Sequence, residues 1–114
     1  MKTILSGIQP SGKITLGNYL GAIKNFVQLQ NQADDDTNIL VFIADLHAIT
    51  VYQEPKALRD SIKQLAAIYL ACGLEREKTT LFIQSEVREH AEIGYLLQTM
   101  TYIGELERMT QYKD

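Results

Sequence analysis

The sequence predicts an α/β domain that forms the N-terminal half of a Rossmann-like, doubly wound parallel sheet, with about three strands and flanking helices. Three observations support this fold class. Short apolar runs alternate with longer amphipathic runs, in the order strand, helix, strand, helix, strand, helix. The run 39–44 is apolar throughout, which is typical of a strand covered on both faces. A glycine-rich turn leads from the first apolar run into the first helix.

The first two strands and helices follow from local pattern. Residues 3–8 are predicted as the first strand, and a helix runs on from Gly17 with apolar residues three and four apart. Residues 39–44 form the second strand. Pro55 opens the second helix and Gly73 ends it. The predicted buried face of this helix comprises Leu58, Ile62, Leu65, Tyr69 and Leu70.

The third strand is the short apolar run 81–83, and Ser85 is predicted to cap the helix that follows. Right-handed crossovers would bring the carboxyl ends of all three strands to one edge of the sheet, where such folds bind ligands. Residues 9–18, 45–50 and 84–85 fall at that edge. Half of a doubly wound sheet also leaves one face or edge uncovered.

Composition excludes several classes of protein. A chain of 114 residues is at most one domain, and 46% hydrophobic residues with 22% charged residues argue against disorder. The net charge of −3 gives no general attraction to nucleic acid or membranes. A single cysteine, Cys72, excludes an intrachain disulfide. No signal-peptide or membrane-spanning pattern occurs, so we expect a cytoplasmic protein.

The turn over 9–18 has half the glycine spacing of a P-loop. Gly12 and Gly17 match that spacing, yet Asn18 and Tyr19 stand where lysine and serine or threonine would follow. On glycine spacing alone, a tight strand-to-helix turn without a ligand explains the sequence equally well.

The polar content of the turn favours a phosphate site. Thr15 and Asn18 are three residues apart, so they would lie on the same side as the helix begins. Gln9 and Ser11 add further donors and acceptors. Neutral donors in such a place can stabilise the charge that develops during phosphoryl or nucleotidyl transfer.

Four separated motifs, in order, resemble those of the bacterial-type tryptophanyl-tRNA synthetases, which are class I aminoacyl-tRNA synthetases. They lie at 9–18, 45–50, 82–85 and 104–111, and the resemblance extends over 1–114 without a break. It implies the N-terminal portion of the nucleotide-binding catalytic domain. The rest of that domain and the anticodon-binding domain would then lie outside this chain.

The resemblance also implies the reaction and its partners. Tryptophan and ATP would give tryptophanyl-adenylate, and the amino acid would then be transferred to tRNA(Trp). ATP would enter with Mg²⁺ as a substrate, without a tightly bound cofactor or a protein metal site, and the parent protein would be a homodimer without membrane contact. The family's Lys-Met-Ser-Lys-Ser loop does not occur in this sequence. We therefore expect little or no activity from the isolated chain.

Site residues are carried over motif by motif. Thr15 and Asn18 would act on the triphosphate during adenylate formation and are the implied catalytic residues. The implied ATP-binding residues are Gln9, Pro10, Ser11, Gly17 and Asn18. The implied tryptophan-binding residues are Leu5, Gly7, Ala44 and His47.

Several residues also have plainer interpretations. His47 could be a histidine at a strand end that orders the next loop, on the same side of the strand as Asp45. Two such ligands without a third make a weak metal site. His90 is predicted to be a solvated surface residue, and 102–112 can be read as a charged helix.

Two alternative functions stay open. One is a stand-alone nucleotide-binding or dimerising module that performs no chemistry. The other is a fragment of a tyrosyl-tRNA synthetase, a near relative that residues 44–48 also resemble. The motifs at 15–18 and 104–110 favour the tryptophan enzyme.

Overall fold

The computed structural model describes residues 2–10, 17 and 19–110. Strands and helices alternate in the predicted order, so the fold class is confirmed. The elements are β1 (Lys2–Ile8), a π-helical turn (Tyr19–Ile23) that continues into α1 (Lys24–Gln32), β2 (Thr37–Ile43), α2 (Asp45–Ala48), α3 (Pro55–Ala71), β3 (Thr79–Ile83), a 3₁₀ turn (Gln84–Glu86), α4 (Arg88–Met100) and α5 (Ile103–Leu106).

The three strands form one parallel sheet in the order β1-β2-β3. Pairing runs from Lys2 opposite Thr37 to Ile8 opposite Ile43, and Ile43 pairs in turn with Ile83. All three strands therefore end level with one another. Their carboxyl ends meet at a single edge, which we call the carboxyl edge.

The core lies on one face of this sheet. Ile39, Val41 and Ile43 of β2 are buried there, and the Phe26 and Tyr69 rings meet with centroids 6.2 Å apart. Helices α1 and α3 cover the same face, as expected when two successive crossovers move in the same direction across a parallel sheet. The buried cluster comprises Ile23, Phe26, Ile39, Val41, Ile43, Leu65, Tyr69 and Leu74.

The predicted buried face of α3 is partly right. Leu65 and Tyr69 are buried, and Leu58 and Ile62 are half-buried. Leu70 was predicted to be buried, but it is 54% exposed. One residue is about a 100° turn of a helix, so Leu70 points away from the sheet when Tyr69 points into it.

The opposite face of the sheet is open among the described residues. The prediction that β2 is covered on both faces is therefore wrong for this part of the chain: Leu40 and Phe42 are half-buried, and Leu5 on β1 is 58% exposed. The Phe42 and Phe82 rings stack across this open face with centroids 5.7 Å apart. Both crossover helices lie on the other side, so within the described residues no crossover helix covers these apolar side chains, although the His90 ring of α4 lies against Phe82.

Helix α3 begins and ends as its sequence predicts. Pro55 is its first residue, and Glu54 caps it by accepting hydrogen bonds from the backbone amides of Lys56 and Ala57. Those amides hold the pKa of the Glu54 carboxyl below its ordinary value of 4.5. Gly73 has a φ of 104°, a left-handed conformation that glycine adopts without steric cost, and it ends the helix.

A buried glutamine lies at the opposite edge of the sheet, where the strands begin, which we call the amino edge. Gln30 on α1 donates through Nε2 to the Gly73 carbonyl at 3.1 Å. Its Oε1 accepts from the Glu75 amide at 2.7 Å and from the Thr79 hydroxyl at 2.9 Å. These bonds tie α1 to the loop before β3, so structural contacts occupy the amino edge near Gln30.

The predicted helix cap at Ser85 is wrong. Residues 84–86 form a 3₁₀ turn, and α4 begins at Arg88 with Val87 in the capping position and no capping side chain. Of the range 102–112, which could be read as a charged helix, the described part holds the short helix α5 (Ile103–Leu106), and 111–112 lie outside the described residues.

Gly7 provides a test of the packing on the open face. A Cβ at this position would lie 2.5 Å from the Phe42 carbonyl oxygen and 2.9 Å from its ring. Gly7→Ala should therefore force β1 away from β2 and lower the free energy of unfolding by about 1–3 kcal/mol. Urea unfolding followed by circular dichroism measures this change.

Gly94→Ala on α4 is the matched control, because a Cβ there meets nothing within 4 Å. It should stabilise the helix by roughly 0.5–1 kcal/mol. Equal effects of the two substitutions would contradict the close approach of Gly7 to Phe42.

Candidate functional site

The candidate site lies at the carboxyl edge. The Ala44 amide donates to the Ile8 carbonyl at 2.9 Å, which holds the end of β2 against the end of β1. Gln9, which is exposed, and Pro10, which is buried, follow directly after β1. The first two residues of the predicted nucleotide turn therefore start beside Ala44, at the edge where ligands bind in open α/β sheets.

Asp45 joins the ends of β2 and β3. Its carboxyl group is buried, and Oδ1 accepts from the Leu46 amide at 3.1 Å and from the Ser85 amide at 3.0 Å. A carboxylate that accepts two backbone amides makes strong, charge-assisted hydrogen bonds. These bonds fix the 3₁₀ turn after β3 against the start of α2. They also hold the Ser85 backbone in the 3₁₀ turn, two residues before Val87, which occupies the capping position of α4.

Asp45 and His47 lie on the short helix α2, so the expectation that they share one side of a strand is wrong. Across the described parts of the chain, no group of three or more His, Cys, Asp or Glu side chains could hold a metal ion. Asp45 acts here as a hydrogen-bond acceptor within the protein.

Two histidines contact Gln84. His47 Nδ1 lies 3.1 Å from Gln84 Oε1, and His90 Nδ1 lies 3.1 Å from the Gln84 backbone oxygen. The His90 ring also stacks on Phe82, with centroids 6.3 Å apart and planes within 5°. His90 is exposed as predicted, but it is a bonded and stacked side chain and not a free surface residue.

A buried tyrosine lies under the end of β1. The Tyr69 hydroxyl is fully buried, lies near the backbone of Ile8 and has no hydrogen-bonded side chain or carbonyl among the described residues. Burial raises the pKa of Tyr69 far above its ordinary value, and the nearby Ile8 backbone offsets only part of that rise. Tyr69 therefore stays neutral and contributes packing at this end of the core.

The structure places the predicted tryptophan-side residues on β1 and in the segment that follows β2. Leu5 and Gly7 are two residues apart on the open face of β1. Ala44 is buried at the end of β2, and the exposed His47 follows it on α2. Gly7 and Ala44 thus lie close to the carboxyl edge, and Leu5 lies further back along the sheet.

The predicted nucleotide turn over 9–18 is only partly described. Gly17 is helical and exposed. Ser11, Thr15 and Asn18, which include both implied catalytic residues, lie outside the described residues.

Sequence reasoning placed Asp45 and Gln84 at the carboxyl edge but missed the hydrogen bonds that they make there. Asp45 follows β2 after one residue, Ala44, and Gln84 directly follows β3. Polar residues in those two positions meet at one edge when the strands are parallel, and that signal was available from the strand order.

These features define an α/β domain whose polar residues gather at the carboxyl edge of a parallel sheet. The family profile described as tRNA synthetases class I (W and Y) matches residues 1–114. The chain belongs to this family.

Individual relatives agree with the family. The chain is 61% identical over 114 residues to the tryptophan–tRNA ligase of Oceanobacillus iheyensis, covering all of this chain and 34% of the relative. It is 60% identical over 113 residues to the tryptophan–tRNA ligase of Bacillus subtilis, covering 99% of this chain and 33% of the relative. The chain therefore spans about a third of the length of the curated relatives it matches.

Solved structures share the fold. Tryptophanyl-tRNA synthetase from Mycoplasma pneumoniae superposes with a TM-score of 0.84 at 47% identity, over 99% of this chain and 32% of that one. The enzyme from Campylobacter jejuni, solved in complex with ADP and tryptophan, superposes with a TM-score of 0.84 at 38% identity, over 100% of this chain and 34% of that one.

The Asp45 bonds give a direct test of how the carboxyl edge is built. Asp45→Ala leaves the Leu46 and Ser85 amides without their acceptor and should lower the free energy of unfolding by roughly 1–3 kcal/mol. Asp45→Asn keeps one acceptor oxygen and should lower the free energy of unfolding by less. Hydrogen exchange at the Ser85 amide should speed up in the alanine variant and less in the asparagine variant. Unchanged exchange in Asp45→Ala would contradict the assigned bond.

Proposed function

We propose that this chain is the N-terminal part of a tryptophan–tRNA ligase, which activates tryptophan with ATP and transfers it to tRNA(Trp). The observation that carries this proposal is the identity of 61% to a tryptophan–tRNA ligase along the whole chain. The position of the matching motifs supports it, since the segments after β1, β2 and β3 all start at the carboxyl edge.

Adenylate formation demands positioning and charge stabilisation. The tryptophan carboxylate is already a nucleophile; it attacks the α-phosphate of ATP, a new C–O–P bond forms, and pyrophosphate leaves. No proton has to be removed from the carboxylate, so the protein needs no general base for this step. Fixed donors near the phosphates and correct alignment of the two substrates supply the catalysis instead.

The chain would supply one side of each substrate site. For ATP, Gln9 and Pro10 lead out of β1 at the carboxyl edge, and Thr15 and Asn18 would donate to the triphosphate. Mg²⁺ would accompany ATP and neutralise phosphate charge. The proposed ATP-binding set is Gln9, Pro10, Ser11, Gly17 and Asn18. The proposed tryptophan side is Leu5, Gly7, Ala44 and His47.

We further propose that the complete protein works as a cytoplasmic homodimer. None of the described helices is long and apolar enough to cross a membrane. Helices α4 and α5 expose many large apolar side chains, which supports a covering surface from outside this chain. These side chains are Ile93, Tyr95, Leu96, Leu97, Met100, Ile103 and Leu106.

The two alternatives have less support. A tyrosyl-tRNA synthetase would be expected to have tyrosine enzymes among its relatives at this identity, whereas the relatives above are tryptophan–tRNA ligases. A stand-alone module would bind ATP or self-associate without any dependence on tryptophan.

The test is tryptophan-dependent pyrophosphate exchange into ATP by the full-length protein that contains this chain. Asn18→Ala should reduce exchange roughly 10²-fold or more, because one fixed donor to the phosphates is lost. Asn25→Ala is the matched control: Asn25 lies on α1, and its side chain donates to the Gly21 carbonyl at 2.9 Å. The control should keep near-normal exchange.

Two outcomes would contradict the proposal. Exchange that depends on tyrosine would favour the tyrosyl enzyme. ATP binding with no exchange under either amino acid would favour the stand-alone module. The isolated 114 residues should show little or no exchange.

A further inference from the structure

We propose that Gln84 is a positioning residue that holds His47 in a single tautomer, so that His47 presents Nε2 as a hydrogen-bond acceptor to an N–H donor of the amino-acid substrate. The tautomer follows from contacts in this chain alone. The substrate part rests on the proposed function, and the tests below separate the two.

The tautomer follows from the chemistry of the contact. His47 Nδ1 lies 3.1 Å from Gln84 Oε1, and an amide oxygen can only accept a hydrogen bond. Nδ1 must therefore carry the proton. A neutral imidazole has one N–H, which leaves Nε2 with its lone pair free to accept.

Gln84 is held firmly enough to fix its partner. Its backbone oxygen accepts from His90 Nδ1 at 3.1 Å, and the amide of the next residue, Ser85, donates to Asp45 at 3.0 Å. Asp45 and His47 both belong to α2, so two hydrogen bonds, Ser85–Asp45 and Gln84–His47, join the 3₁₀ turn to α2. The Ser85–Asp45 bond holds the turn in place and so orients Gln84 relative to His47.

His47 is placed where a substrate can reach it. It lies in the last turn of α2, its backbone oxygen accepts from the Thr50 hydroxyl at 2.8 Å, and the residue is exposed. The preceding Ala44 lies at the end of β2, beside the end of β1. The Nε2 lone pair therefore stands at the carboxyl edge, on the side assigned above to the amino acid.

A free tryptophan offers two N–H donors, the α-ammonium group and the indole N–H. Both fit an acceptor, and neither fits the other tautomer, whose Nε2–H would face them donor against donor. Loss of the Gln84 contact should therefore weaken the binding of tryptophan and leave the binding of ATP largely unchanged.

The first test reads the tautomer directly. Long-range ¹H–¹⁵N correlation spectra of the full-length protein, recorded on the neutral form of the imidazole ring, should show His47 with Nδ1 protonated and Nε2 unprotonated. His90 is an internal reference, because its Nδ1 donates to a backbone carbonyl that can only accept. Gln84→Leu should move His47 toward the Nε2–H form. Gln64→Leu on the exposed side of α3 is the matched control and should leave it unchanged.

An Nε2–H tautomer in the unsubstituted protein would overturn the proposal, because it would mean that the amide nitrogen of Gln84 faces His47. An unchanged His47 spectrum in Gln84→Leu would overturn it as well.

The second test measures the consequence for substrate. In pyrophosphate exchange, Gln84→Leu should raise KM for tryptophan about five- to tenfold, the loss expected for one hydrogen bond, with KM for ATP nearly constant. An unchanged KM for tryptophan in Gln84→Leu would overturn the substrate part.

Inhibition by indole-3-propionate, which lacks the ammonium group, identifies the donor. If Gln84→Leu weakens the binding of tryptophan alone, Nε2 accepts from the ammonium group. If it weakens the binding of both compounds, Nε2 accepts from the indole N–H. Absence of pyrophosphate exchange in the unsubstituted protein would overturn the proposed function and the substrate part of this proposal together. The tautomer of His47 would still be decided by the spectrum, which does not depend on exchange activity.

Discussion

The candidate site depends on the level, parallel pairing of three strands. Because β1, β2 and β3 pair without an offset at their carboxyl ends, the residues that follow each strand come to one edge. The Ala44–Ile8 and Asp45–Ser85 hydrogen bonds then hold the segments that follow the three strands against one another. A shift of one residue in register would also exchange the buried and open faces of the shifted strand. The placement of Gln84 beside His47 follows from this pairing.

The two faces of the sheet differ in how far they are covered. Both crossover helices cover one face, and the other leaves Leu5, Leu40 and Phe42 partly or largely exposed. Gly7 is small because Phe42 lies against it on this open face. The curated relatives are about three times as long as this chain.

Local sequence pattern predicted the elements well and the long-range contacts poorly. Pro55 and Gly73 mark the ends of α3 because their backbone preferences act within a few residues. The exposure of Leu70 and the uncovered face of β2 depend on which side the crossover helices pack. The Ser85 amide is taken by Asp45, 40 residues away, and His90 is held by Phe82 and Gln84. Parallel strands bring these segments to one edge, but which side chains and amides then meet depends on three-dimensional packing that a local sequence pattern does not contain.

Hydrogen-exchange mass spectrometry of the full-length protein, with and without ATP and tryptophan, tests the central claim most directly. The claim is that the carboxyl edge of this sheet is the ligand-binding edge. Both substrates together should protect peptides covering 7–18, 44–50 and 84–86, while peptides covering 31–38 and 75–79 at the amino edge keep their exchange rates. Protection confined to the amino edge, or to segments outside this chain, would contradict the account.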